Sequence, residues 1–207
     1  REMPRVALAH PALAAEGADL AAQGAATSAD AAPSPADDFA QRLGQLLAQH
    51  ALPVEHIVMA LAADRVTTRR LSFPFGDRRR LAQAIPFEVE GELPFAIEDV
   101  IVGWERVGGD RSRADVLALV AQRREIAAAL EVAHAAGVEP RVLEAEGFVL
   151  GNLAPLVALP GVRLFADLGH RKTTFALAIE GQIVAQRAIA LGGRALTQAI
   201  AHERGLC

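Results

Sequence analysis

The chain has no tyrosine, one tryptophan and eight phenylalanines in 207 residues. That is too thin a supply of rings for a base-stacking platform of the kind single-stranded nucleic acids need. Its formal net charge of -4 supplies no basic footprint either, so nucleic acid is not expected as a partner. The only cysteine is Cys207, so no disulfide can form within the chain, which fits a reducing compartment. No apolar run reaches the roughly 18 residues a spanning helix requires. The opening Arg1-Glu2-Met3-Pro4 lacks the pattern of a signal peptide. No Gly-x-x-x-x-Gly-Lys-Ser/Thr loop occurs, which excludes a P-loop enzyme. The six histidines show no metal-ligand spacing. Ser34, Ser72 and Ser112 lack the setting of a nucleophile elbow. Arg1 and the helical pattern interrupted at Cys207 lead us to expect a piece of a longer chain.

Hydrophobic residues make up 52% of the chain, much of it alanine, enough for a buried core. Residues 10–36 are rich in Ala, Gly, Ser and Pro and read as a linker or flexible loop, after a short strand at Arg5–Ala9. A helix is expected next, capped by Asp37 or Asp38, with Phe39, Leu43, Leu46 and Leu47 at helical spacing and an end near His50. His56–Leu61 is an apolar run suited to a buried strand, and residues 65–75 alternate as a strand does. After Asp77, Leu81, Ile85, Val89 and Leu93 stand four apart on one helical face, with Pro86 inside as an expected kink. Strands at Val100–Val107 and Ala114–Val120 are joined through Gly108-Gly109-Asp110. A helix over Arg123–Ala136 should stop at Gly137 in the left-handed region. A strand at Val138–Glu144 and a helix from Glu146 to about Ala154 follow. Next comes a hairpin turning at Glu180-Gly181, and then a helix from about Gly193.

Chemistry concentrates in Ala166-Asp167-Leu168-Gly169-His170-Arg171-Lys172-Thr173-Thr174. It reads as a strand ending in a carboxylate beside a glycine-containing turn. Backbone N–H groups of such a turn can form an anion-binding nest, and Asp167 can hold a metal ion through water. Asp-x-Gly is also an ordinary turn, in which the Asp merely caps the bend. His170, Arg171 and Lys172 bring positive groups to the same place. Gly192 and Gly193 permit close backbone approach before a helix whose N-terminus favours an anion. Charge switches sign along the middle of the chain. Arg65, Arg69, Arg70, Arg78, Arg79 and Arg80 come first, then Glu88, Glu90, Glu92, Glu98 and Asp99. Such runs are usually solvated faces, but complementary charge also steers partners. Phe73, Phe75, Phe87 and Phe95 are expected in the core or in packing between the insertion and the main domain, and at least one can anchor a partner peptide.

Two signatures in order carry a resemblance. Arg70-Leu71-Ser72-Phe73-Pro74-Phe75, Ile85-Pro86-Phe87-Glu88-Val89-Glu90 and Leu93-Pro94-Phe95 before Glu98-Asp99 are followed by Asp167-Leu168-Gly169-His170 with Thr173, then Leu191-Gly192-Gly193-Arg194-Ala195-Leu196-Thr197. Over roughly residues 50–205 this resembles the PilM and GspL families, actin-like cytoplasmic proteins of type IV pilus and type II secretion machines. His170 after Asp-Leu-Gly leans slightly to the GspL side. The resemblance implies an incomplete actin-like (ribonuclease-H-like) α/β fold. Residues 1–62 and 123–160 would form the first actin-like subdomain, 63–122 an inserted strand–helix–strand–strand subdomain, and 161–207 the start of the second. It implies a cytoplasmic scaffold at the inner-membrane face of a bacterium, joining an inner-membrane platform protein, through its cytoplasmic peptide, to the motor ATPase. It implies no catalysis. Asp167, Gly169, His170, Lys172, Thr173, Gly192 and Gly193 would face ATP with magnesium in a full-length parent, Asp167 reaching the metal through water. Binding by this piece would be weak or absent, since the earlier Asp-x-Gly hairpin of these families is missing from residues 1–60. Arg78, Arg79, Arg80, Phe87 and Phe95 would meet a partner. The alternatives are an actin-like ATP-binding enzyme and an FtsA-type cell-division protein.

Overall fold

The computed structural model describes residues 35–52, 56–153 and 161–206. The expected strand at Arg5–Ala9 and nearly all of the 10–36 loop lie outside them. The described chain opens with helix α1 (Pro35–Gln49), which starts three or four residues earlier than a cap at Asp37 or Asp38 would place it, so Asp37 and Asp38 sit in its first turn rather than at its cap. Pro at the start of a helix gives up no needed N–H, and acids in the first turn suit the helix dipole.

Strand β1 (Val58–Leu61) pairs in parallel with β5 (Val142–Ala145). Between them, β2 (Val66–Phe73), helix α2 (Arg78–Glu90), β3 (Val100–Gly109) and β4 (Ala114–Gln122) form an antiparallel sheet in the order β2-β4-β3 with a helix laid across it. The Asp77 side chain accepts a hydrogen bond from the Arg80 N–H at 2.9 Å and caps α2. Leu81, Ile85 and Val89 are 1%, 0% and 0% exposed. They pack on Phe73, Val100, Val116, Ala118 and Val120, with Leu93 partly buried beside them. Helix α2 runs unbroken through Pro86.

Central β4 is nearly continuous in apolar residues because it is covered on both faces. Val116, Ala118 and Val120 face α2. Leu119 and Ala121 face a second cluster built from Leu61, Val66, Ile126, Leu143 and Ala145. One strand thus locks the α2 layer to the β1–β5 pair. Helix α3 (Arg123–Ala135) packs on α1 through Ala40, Ala133 and Ala136. Gly137 follows at φ +79°, as the stop required. The strand expected from Val138 starts only at Val142.

Helix α4 (Glu146–Gly151) follows β5 directly. The last sheet is β6 (Val162–Leu168), β7 (Thr173–Ile179) and β8 (Gln182–Ile189), antiparallel in that order, followed by helix α5 (Gly193–Glu203). Glu180 and Gly181 turn the second hairpin with φ of 48° and 82°, the two positive values that match strand twist in a two-residue turn. Ala176, Ala178 and Ile183 pack toward Phe148 and Leu150 of α4. The opposite face carries Val162, Leu164 and Leu168 at 59%, 64% and 76% exposure.

Candidate functional site: the β6–β7 turn and its surroundings

Asp167 is paired in register with Thr174, one position before the end of β6, and its side chain is exposed. The turn closes through the Gly169 N–H, which donates to the Lys172 carbonyl at 3.0 Å. The Gly193 N–H donates to Gly169 O at 2.9 Å and the Arg194 N–H to His170 O at 2.8 Å. The first turn of α5 therefore spends its free N–H groups on the carbonyls of the β6–β7 turn. Gly192 is what allows the approach, since a Cβ there would stand 2.5 Å from Gly169 O and 2.6 Å from His170 O. Thr173 Oγ1 donates to Leu191 O at 2.6 Å and fastens the other side of the same junction. Asp167, Gly169, His170, Lys172, Thr173, Gly192 and Gly193 thus belong to one local assembly.

Lys172 does not stand free at an anion site. Its ammonium donates to Glu146 Oε2 at 2.6 Å and to Asp64 Oδ1 at 3.1 Å, and the side chain is only 20% exposed. The same Glu146 oxygen accepts the Ala63 N–H at 2.8 Å and the Thr174 hydroxyl at 3.4 Å. One carboxylate thus ties together the segment just after β1, the start of α4 and the base of the β6–β7 hairpin. Burial pulls the Lys172 ammonium down, but the hydrogen bonds and charges of Glu146 and Asp64 outweigh it and the pKa ends above its ordinary value. Burial likewise pushes the Asp64 carboxyl up, and Lys172 reverses this to a net lowering. Neither acid was singled out from the sequence. The available signal was Glu146 at a strand-to-helix junction, a position aimed at whatever packs on the strand ends.

What remains open at the turn is the Asp167 carboxylate, the side chains of His170 and Arg171, and the backbone N–H groups of those two residues, for which no acceptor stands among the described residues. This donor set suits one side of a phosphate with a water-held cation. Among the described residues no group of three or more His, Cys, Asp or Glu side chains is placed to hold a metal ion, so Asp167 would contribute alone.

The expected partner surface divides. Arg78 lies over the Trp104 ring at 5.5 Å and Arg80 over the Phe75 ring at 4.4 Å. These two guanidiniums cover aromatic faces within the same layer of sheet and helix, whereas Arg79 is exposed with no ion pair among the described residues. Phe87 is 76% and Phe95 40% exposed, so neither ring is core. The acidic stretch is also exposed, Glu92 included, although Glu92 pairs with Arg69 at 2.8 Å.

The architecture has known counterparts. A PilM–PilN type IV pilus biogenesis complex matches with 26% identity and a TM-score of 0.71 over 82% of this chain and 53% of that one. The cytoplasmic domain of EpsL, an inner-membrane component of the type II secretion system of Vibrio cholerae, matches with 18% identity and a TM-score of 0.53 over 73% of this chain and 56% of that one. The chain therefore spans little more than half the length of either. The fold is the actin-like α/β fold expected from the sequence. No helix among the described residues is long and apolar enough to cross a membrane. The slight lean of His170 toward the GspL side is not followed by the family match, for residues 25–207 fit the family described as type IV pilus assembly protein PilM. The chain belongs to that family.

Proposed function

We propose that the chain is part of a non-catalytic scaffold, cytoplasmic at the inner-membrane face, which holds a cytoplasmic peptide of a platform protein and links it to the motor ATPase of a type IV pilus or type II secretion machine. The single observation that carries this reading is membership of the PilM family, one of whose solved relatives is a complex with PilN. The geometry supports it in two ways. The α2 layer presents Arg79, Phe87 and Phe95 to solvent although none of them is needed for its core. Its charges also oppose the helix dipole, with three arginines in the first turn and acids at the end. Ring contacts within the chain account for Arg78 and Arg80, and a contact outside the chain would account for Arg79 and the acids.

Arg79→Glu combined with Phe87→Ala tests the surface. Arg78 and Arg80 are left in place because reversing them also removes two ring contacts. The expected outcome is loss of co-purification with one of the two partners, with the melting temperature unchanged. Unaltered capture of both partners at low salt would refute this surface.

Nucleotide enters this reading only for a longer parent. There, Asp167 would hold a magnesium-bound water and the His170 and Arg171 N–H groups would meet phosphate. ATP with magnesium would act as a ligand that stiffens the scaffold, and turnover would be negligible because no residue among those described is positioned as a general base.

A further inference from the structure

Helix α2 separates its charge along its length. Arg78, Arg79 and Arg80 fill the first turn, and Glu88 and Glu90 the last, each set against the helix dipole. Arg78 and Arg80 are drawn over Trp104 and Phe75. Arg79 and Glu90 have no such contact: both are exposed, and neither has an ion pair among the described residues. Pairing within the helix is closed to them. The helical residues three and four positions from Arg79 are Ala82 and Gln83, and those from Glu90 are Phe87 and Pro86.

The outer side of α2 carries a self-matching pattern. Leu81, Ile85 and Val89 face the sheet. Arg79, Gln83, Phe87 and Glu90 follow one another at helical spacing on the opposite side, all exposed, Phe87 at 76%. The stripe begins with a cation and ends with an anion about 16 Å further along the axis, with neutral residues between. Turned end for end, it is its own complement. In an antiparallel pair about a two-fold axis, Arg79 of each copy stands opposite Glu90 of the other, Gln83 opposite Pro86, and Phe87 opposite Ala82. A two-fold dimer requires this use of one patch twice. Each arginine then also lies at the other helix's C-terminal end, where a cation is favoured. Ala82 is small and exposed and leaves room for the ring.

We infer that the outer stripe of α2 binds the same stripe of a second copy of this chain, antiparallel, with the two Phe87 rings enclosed between two Arg79–Glu90 pairs. The inference rests on the scaffold reading above for the assignment of Arg79 and Phe87 to an outside contact, and it names that contact. A scaffold that stands in pairs presents its partner sites two at a time, so partner capture gains by avidity and falls when the pair separates. One helix face is a small interface, so the association is weak and salt-sensitive.

Sedimentation equilibrium of the 207-residue chain, over a range of concentrations at low salt, is the test. The parent should show a reversible monomer–dimer equilibrium that weakens as salt rises. Arg79→Glu and Glu90→Arg should each weaken it about tenfold or more, because each sets like charges face to face twice. An equimolar mixture of the two single variants should dimerise again, since every charge then meets its opposite. The chain carrying both changes should dimerise with itself for the same reason. Helix stability alone cannot produce that pattern, because each single change relieves the opposed dipole. Both residues are exposed and unpaired, so neither change should lower the melting temperature. A parent that stays monomeric up to about 1 mM, association that neither variant weakens, or a mixture that fails to restore it would overturn the dimer. Loss of partner capture on Arg79→Glu with Phe87→Ala, in a chain monomeric throughout, would overturn this inference and leave the scaffold reading standing. A dimer restored by the mixture, with partner capture unaltered, would uphold the inference and refute the part given to this surface in the scaffold reading.

Discussion

Replacing Lys172 by Met isolates the contact on which the β6–β7 turn depends. The methionine keeps the length and apolar stem of lysine but removes the ammonium. Glu146 then loses its 2.6 Å partner and Asp64 its 3.1 Å partner. A hydrogen bond to a charged group contributes about 1.5–3 kcal/mol, and a half-exposed pair such as that to Asp64 adds only about 0–1 kcal/mol. Glu146 keeps the Ala63 N–H and the Thr174 hydroxyl, so its carboxylate is not stranded, and the loss should fall near the lower limit, about 2 kcal/mol. For a chain of this size, about 2–4 °C per kcal/mol gives a fall in melting temperature of about 4–8 °C. The assay is thermal unfolding of the parent, Lys172→Met, Glu146→Gln and the double variant, which also yields the coupling energy. The pH dependence carries a sign. The Asp64 pKa is lowered from 3.8, so its contribution is present above that value and is lost as pH falls through the lower folded value. The Lys172 pKa is raised from 10.5, so its contribution is present below that value and is lost as pH rises through the higher folded one. The difference between parent and Lys172→Met should therefore be widest across the neutral range and shrink in strong acid. A melting temperature unchanged by Lys172→Met at pH 7, or purely additive single and double variants, would refute the bridge as a structural tie.

Ile85→Ala should cost about 2–5 kcal/mol, since the side chain is wholly buried under α2; denaturant unfolding measures it, and a cost under about 1 kcal/mol would contradict the packing. Gly192→Ala should loosen α5 from the turn, because the added Cβ meets two carbonyl oxygens at 2.5 and 2.6 Å; faster hydrogen exchange at the Gly193 and Arg194 amides is the expected readout. Calorimetry with ATP and magnesium should find weak or no binding to this chain. Tight binding left intact by Asp167→Ala would mean that nucleotide sits elsewhere.

The parts of the fold that were legible in the sequence are those in which one residue's local choice agrees with the packing around it. The α2 face was readable because Leu81, Ile85 and Val89 repeat at four-residue spacing and all three point into one core. The hairpin at Glu180-Gly181 and the stop at Gly137 were readable because backbone at positive φ has few suppliers. The turn after Asp167 was readable as a strand end with a glycine, but its electrostatics were not. Lys172 meets Asp64 across 108 positions of chain, and no periodicity reports a contact of that separation. The arginine cluster hid its ring contacts for a related reason. Arg78, Arg79 and Arg80 are identical as letters, yet helical geometry sends the first over Trp104 and the third over Phe75, which leaves only the middle one unpaired. Gly192 and Gly193 read as a possible anion cradle because free N–H groups at a helix start attract negative charge. In the folded chain that demand is met from within, by the carbonyls of Gly169 and His170. A phosphate approaching this turn would therefore meet the groups that the helix does not use: the His170 and Arg171 amides and the carboxylate of Asp167.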